Sequence, residues 1–179
     1  MRFRLAAAAL LAVLAAGALS GCVGQPAPVE TTPGFATEEE AFAAAEQTYR
    51  NYVDALNQVD LSDSKTFEPV YMWTTGEVNA QERKSLSEMH ADGWSLSGTT
   101  SIVDFKGISG PSWPTDRLTA RVCTDVSTVE VLDASGASTM SPTRPTGYTI
   151  EVTFTVSPTV GGVPLISNSQ AIAANSCAL

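Results

Sequence analysis

Apolar residues recur at spacings of three and four along Phe42, Ala45, Tyr49, Tyr52, Val53, Leu56 and Val59. That pattern predicts an amphipathic helix of about twenty residues. Thr37-Glu38-Glu39-Glu40 opens it as a capping box: the Thr37 hydroxyl accepts the Glu40 amide, and the Glu40 carboxylate returns to the Thr37 amide. Three carboxylates in the first turn also suit the positive end of the helix dipole. Residues 61–75 are less regular and predict two short helical pieces. Ser62 is expected to cap the first, Pro69 to begin or interrupt the next, and Val70, Tyr71, Met72 and Trp73 form a dense apolar knot. Gly76 breaks the run. Asn79-Ala80-Gln81-Glu82 reads as a second capping box, before a helix that carries Leu86, Met89 and His90 on one side and stops ahead of Gly93.

From Trp94 onward the period changes to two. Trp94, Leu96, Ile102, Val103, Phe105 and Ile108 predict a first long strand bent at Gly98, and Gly110-Pro111-Ser112-Trp113-Pro114 a turn. Leu118, Ala120, Val122, Thr124 and Val126 alternate with more polar neighbours in a second, half-buried strand. It continues through Val129, Val131 and Leu132 to a hairpin signal at Asp133-Ala134-Ser135-Gly136. After the loose residues 138–145, a third strand carries Tyr148, Ile150, Val152, Phe154 and Val156. Gly161-Gly162 turns into a fourth, from Val163 to about Ala174. Helices first and an antiparallel meander afterwards predict an α+β fold, with N-terminal helices packed on one face of a curved four-stranded antiparallel sheet.

The N-terminus has a different character. Met1-Arg2-Phe3-Arg4 is a short cationic start, and Leu5 to Leu19 follow with no charge. Fifteen helical residues would span roughly 22 Å, short of the ~30 Å hydrocarbon core, so the run reads as a secretory signal and not as a permanent span. Leu19-Ser20-Gly21-Cys22 then resembles the lipobox of bacterial lipoproteins. The resemblance implies cleavage after Gly21 and lipidation of Cys22, which two or more acyl chains would turn into a lasting membrane anchor. Residues 23–35, with three prolines, two glycines and two threonines, read as an extended tether of roughly 40 Å. The expected organisation is a signal peptide over 1–21, a lipidated N-terminus and Pro/Thr-rich tether over 22–36, and a globular domain over 37–179.

Length and charge narrow the function. The 179 residues, 44% hydrophobic, suffice for one such domain and not for two large ones. The net charge is −9, and loss of Arg2 and Arg4 makes it −11. No basic patch can be built from the scattered cations that remain, which excludes nucleic-acid binding through phosphates. With Cys22 assigned to lipid, Cys123 and Cys177 remain as an even pair outside the cytosol, where a disulfide is expected and two buried thiols are the alternative. Two Cys and one His provide too few ligands for zinc, and no metal or cofactor is expected. In a plain meander the second and fourth strands lie about 9.6 Å apart, beyond the reach of a disulfide. A Cys123–Cys177 bond therefore requires the last residues to leave the sheet or the second strand to bulge.

The element order, the run Arg121-Val122-Cys123-Thr124-Asp125 and a Cys near the end are similar to the nuclear transport factor 2-like superfamily, the cone-shaped folds of cystatin-like topology. They are similar also to the acidic lipoproteins of high-GC Gram-positive bacteria that join a lipobox to such a domain. The resemblance implies a cone whose mouth takes small molecules, in some members with an Asp–His pair for proton transfer. His90, Asp104 and Asp125 are the weak catalytic candidates here, and Tyr49, Tyr52, Trp73, His90 and Trp94 the candidate cavity lining. Each also has a plainer role. His90 can cap or face solvent, Asp125 can pair with Arg121, Asp104 can face out, and the aromatic residues can be ordinary core. Trp113, between prolines, is the candidate exposed partner contact. The expected function is a membrane-anchored extracytoplasmic lipoprotein with a binding or scaffolding role at the cell envelope, toward a protein partner or a small apolar ligand. The alternative is a small-molecule-binding or isomerase-like enzyme using the cone.

Overall fold

The computed structural model describes residues 34–108, 115–156 and 162–174. Helix α1 (Glu38–Leu56) buries Ala41, Ala45, Tyr49 and Val53 along one stripe, as its spacing predicts. Its N-cap is Thr37, whose Oγ1 accepts the Glu40 amide at 3.1 Å. The return bond differs from expectation, because the Glu40 carboxylate accepts the Ala36 amide at 3.0 Å instead of that of Thr37. Two short pieces follow, a 3-10 turn (Ser64–Phe67) capped by Asp63 and not by Ser62, and α2 (Glu68–Tyr71) with Pro69 in its first turn. Helix α3 (Gly76–Ala91) begins three residues before the expected box, and Asn79 lies inside it.

The predicted first strand is two strands in two sheets. β1 (Ser95–Ser97) pairs with β4 (Glu130–Leu132) in a small ribbon, and β2 (Ser101–Ile108) is the edge of the main sheet. Gly98 separates them at φ 82°. A Cβ there would lie 1.9 Å from the Thr128 carbonyl oxygen, so the chain passes closer than any side chain allows. The second strand divides in the same way: β3 (Arg117–Asp125) ends before a turn into β4. With β5 (Gly147–Val156) and β6 (Pro164–Ala174), the main sheet is antiparallel in the order β2-β3-β5-β6. The loose residues 138–145 are held by Arg144, whose guanidinium donates to the carbonyls of Val126 at 3.0 Å and Val129 at 2.5 Å.

The molecule is therefore α+β, with the helices against one face of a four-stranded antiparallel sheet. Leu118, Ala120 and Val122 of β3, Val152, Phe154 and Val156 of β5, and Ile166 of β6 meet the inner stripe of α1. Phe42 lies flat on Gly107 of β2, within 2.7 Å of where a Cβ would stand. A second cluster joins Leu61, Phe67, Val70, Tyr71 and Leu86 below the helices, with Met89 and Trp94 packed against it. Full burial of such side chains stabilises by roughly 1.5–3 kcal/mol each, so both clusters matter to folding.

Two glycines separate backbone strain from steric exclusion. Gly98→Ala should lower unfolding stability by at least about 2 kcal/mol, through both terms. Gly136 has the same φ of 82° with nothing within 4 Å of its would-be Cβ. Gly136→Ala should therefore cost only about 1 kcal/mol. Equal losses in urea unfolding would show that the approach to Thr128 costs nothing.

Candidate functional site

One flank of α1 carries Gln47, Asn51 and Asp54 at helical spacings of three and four, and Gln58 continues the row in the turn after the helix. Two depressions open beside it. One, of about 430 Å³, is lined by Asn51, Asp54, Ala55, Gln58, Thr66, Pro69 and Trp73. The other, of about 350 Å³ and more apolar, is lined by Phe35, Ala44, Gln47, Asn51, Trp73, Val163 and Pro164 among others. Asn51 and Trp73 border both, so the two form one groove with the half-buried indole at its middle. Gln47 Nε2 donates to Asn51 Oδ1 at 2.9 Å, and Gln58 Nε2 donates to the Asp54 carbonyl at 3.0 Å.

Trp73 is fixed from both sides in sequence. Its amide donates to the Val70 carbonyl at 3.3 Å, and its carbonyl accepts the Ile166 amide of β6 at 3.0 Å. The Thr75 amide donates back to the Ile166 carbonyl at 2.8 Å, so Thr74 bridges β6 in parallel. Asn79 braces this link from inside α3, with Nδ2 donating to the Tyr71 carbonyl and to Thr74 Oγ1, both at 2.9 Å. Its Oδ1 accepts Arg83 Nε at 3.0 Å, and the same guanidinium lies 3.9 Å over the Tyr71 ring. Asn79 is therefore not the cap that its spacing predicts; its role across the α2–α3 turn depends on tertiary contacts that spacing does not encode.

Between α1 and α3, Tyr52 donates its hydroxyl to Glu82 Oε1 at 2.5 Å. Burial, the adjacent carboxylate and that hydrogen bond hold the Tyr52 phenol well above its ordinary range, and burial does the same to Tyr49. Their rings lie 5.9 Å apart. Tyr49 is buried in the core between α1 and the sheet.

The remaining candidates lie on separate elements. His90 Nδ1 donates to the Leu61 carbonyl at 2.6 Å and its ring meets Phe67 edge-on, which staples the end of α3 to the turn after α1. Asp104 is exposed beside the register shift of β2 and accepts the Phe105 amide. Asp125 accepts the Ser127 amide at 2.8 Å, closing the turn after β3, where an ion pair with Arg121 was expected. The bond to Ser127 lowers its pKa. Thus Tyr49, Tyr52 and Glu82 come together, while His90, Asp104 and Asp125 do not. Trp73 and Trp94 both pack against the second cluster, and Trp73 also lines the groove beside α1. Among the described residues no group of three or more His, Cys, Asp or Glu could hold a metal, and no helix is long and apolar enough to cross a membrane.

Cys123 is fully buried although strand parity turns it away from the helices, opposite to Val122 and Thr124. It is disulfide-bonded. Cys177, like Cys22, Trp113, the signal segment and the tether through residue 33, lies outside the described residues.

No protein-family profile and no curated protein matches the sequence. Among solved structures, the chain is similar to the intermembrane space region of the chloroplast protein ARC6, at 12% identity and a TM-score of 0.52, over 74% of this chain and 97% of that one. CagV, a VirB8 homolog of Helicobacter pylori, aligns at 6% identity and a TM-score of 0.44, over 72% and 96%. Agrobacterium tumefaciens VirB8 aligns at 11% identity and 0.41, over 78% and 96%. At this identity the likeness to the ARC6 region extends to the fold alone.

Two measurements test these contacts. Asn79→Ala removes the brace and should cost about 1–3 kcal/mol, with a changed environment for the Trp73 indole. Intact Trp73 spectra in a destabilised variant would contradict the positioning. The folded protein keeps the Tyr49 and Tyr52 protons to higher pH than the unfolded chain does. Their stabilisation is thus complete below about pH 10 and declines as pH rises past it. Tyr52→Phe should flatten that alkaline decline in urea midpoint, and an unchanged slope would dissociate the pair from it.

Proposed function

We propose that the chain is an envelope lipoprotein anchored through Cys22, whose domain over 37–179 is a binding or scaffolding module and uses the groove beside α1 as its docking surface. The observation that carries this reading is the filled interior. Where the resemblance to cone-shaped folds implies a cavity, Ala45, Tyr49 and Val53 share one buried cluster with Val122, Val152 and Phe154. Two concavities that share the half-buried Trp73 open beside the helix instead. The isomerase-like alternative draws no support from His90, Asp104 and Asp125, which lie on separate elements and are each bonded to a backbone group. Support for the extracytoplasmic location comes from the cationic start, the uncharged run and the lipobox-like Leu19-Ser20-Gly21-Cys22. A domain on a tether of this kind faces a partner protein or a small ligand at the membrane surface.

Cys123 is proposed to bond to Cys177. The β3–β5 register runs unbroken from Arg117 to Asp125, so the second strand has no bulge to bring Cys123 nearer. Cys123 stands level with Thr149 and, one strand further, Ala173. β6 is described to Ala174, three residues before Cys177. The closed loop of about 54 residues would stabilise by roughly 4 kcal/mol in the chain-entropy account.

In fractionated cells the native protein should sediment with membranes and the Cys22→Ser variant should not; retention of the variant would contradict the anchor. Non-reducing peptide mapping should recover the Cys123 peptide joined to the Cys177 peptide. A free Cys177 thiol, open to alkylation without reductant, would contradict the pairing.

A further inference from the structure

We propose that the groove beside α1 binds a neutral oligosaccharide, with a sugar ring stacked on Trp73 and its hydroxyls bonded by Asn51, Asp54 and Gln58. This names the ligand class for the docking surface above and rests on that reading. Charge is the first constraint. No Lys or Arg lines either depression, Asp54 is the charged residue present, and the chain carries −9 overall. An anionic ligand would meet repulsion with no compensating cation.

Hydrogen-bonding capacity is the second. Among the described residues, the Asn51 amide nitrogen and the Asp54 carboxylate have no hydrogen-bond partner, while Gln47 occupies Asn51 Oδ1. Asn51 and Gln58 each offer a carboxamide, and Asp54 between them offers acceptors alone. Donors and acceptors at successive turns of one helix suit hydroxyl groups, each of which both donates and accepts. An apolar peptide side chain laid there would leave them unpaired.

Shape is the third. A half-buried indole with polar groups around it provides a flat apolar platform and a few groups that fix orientation. A sugar ring presents the complementary pair of surfaces, a C–H face and a hydroxyl edge. The platform is preorganised, because the Trp73 backbone is bonded to Val70 and Ile166. From Ala44 to its end at Leu56 the helix runs about 18 Å, and Gln58 follows in the next turn, which suits a chain of several rings better than one.

The test uses the intact protein in detergent micelles, titrated with cellotetraose, maltotetraose and the N-acetylglucosamine tetramer while side-chain N–H resonances are followed. At least one should shift the Trp73 indole and the Asn51 and Gln58 amides saturably at millimolar concentration. Trp73→Ala should weaken that binding at least about tenfold, Trp73→Phe should restore part of it, and Trp94→Phe should leave it unchanged. Absence of shifts with all three sugars overturns the proposal. So does an acidic oligogalacturonide or a proline-rich decapeptide that moves the same resonances when the neutral sugars do not. Those last outcomes keep the groove as a docking surface and change only its ligand. Loss of the docking reading itself would appear as wild-type protein in the soluble fraction with groove resonances that no probe moves.

Discussion

Besides the apolar contacts of α1, backbone hydrogen bonds link the helical layer to the sheet where Trp73 and Thr75 exchange them with Ile166 of β6. Everything near the groove depends on that link. It makes the irregular segment between α2 and α3 a partner of the edge strand, and it sets Trp73 beside α1. Ile166 is itself 1% exposed and packed in the core. The residue that anchors the sheet interior therefore also positions the indole outside it. Asn79 supplies the side-chain bonds that this turn lacks from regular structure, and Arg83 extends the brace onto Tyr71.

Periodicity made most of the architecture legible. The 3.6-residue stripe of α1 and the alternation of β3 and β5 each encode a buried face, and a buried face is what the hydrophobic effect selects. The pattern failed where two strands share one apolar run. Trp94 to Ile108 reads as continuous because alternation does not record which sheet a strand joins; the decisive feature is the positive φ at Gly98 beside Thr128. Caps were imprecise in place, by one residue at Glu40, whose carboxylate reaches Ala36, and by four at α3, whose N-cap is Thr75 and not Asn79.

The candidate site was less legible for a related reason. His90, Asp104 and Asp125 were singled out because their chemistry is rare in this chain. Each is instead bonded to a backbone group, Asp104 and Asp125 to the nearby amides of Phe105 and Ser127 and His90 across the chain to Leu61. The polar row Gln47, Asn51, Asp54 and Gln58 was present as a second helical stripe beside the apolar one. Uncharged amides on a helix look like ordinary solvated surface until a tertiary neighbour stands against them. Trp73 is that neighbour, and only the fold brings it there.

Filling the interior of such a fold moves its usable surface outward. A small domain gains stability by packing Tyr49 and Phe154 between helix and sheet, and the volume so occupied is no longer open to a ligand. Tyr52 illustrates the trade. Its hydroxyl, the kind of group that would orient a substrate in an open cone, is spent on Glu82 across the α1–α3 contact. The interior polar group thus joins two helices, and the chemistry available to an outside molecule is what α1 and Trp73 leave exposed. On the proposed binding reading, recognition at such a surface rests on shape, apolar contact and neutral hydrogen bonds, and a rigid backbone behind the indole matters more to it than a tuned acid or base.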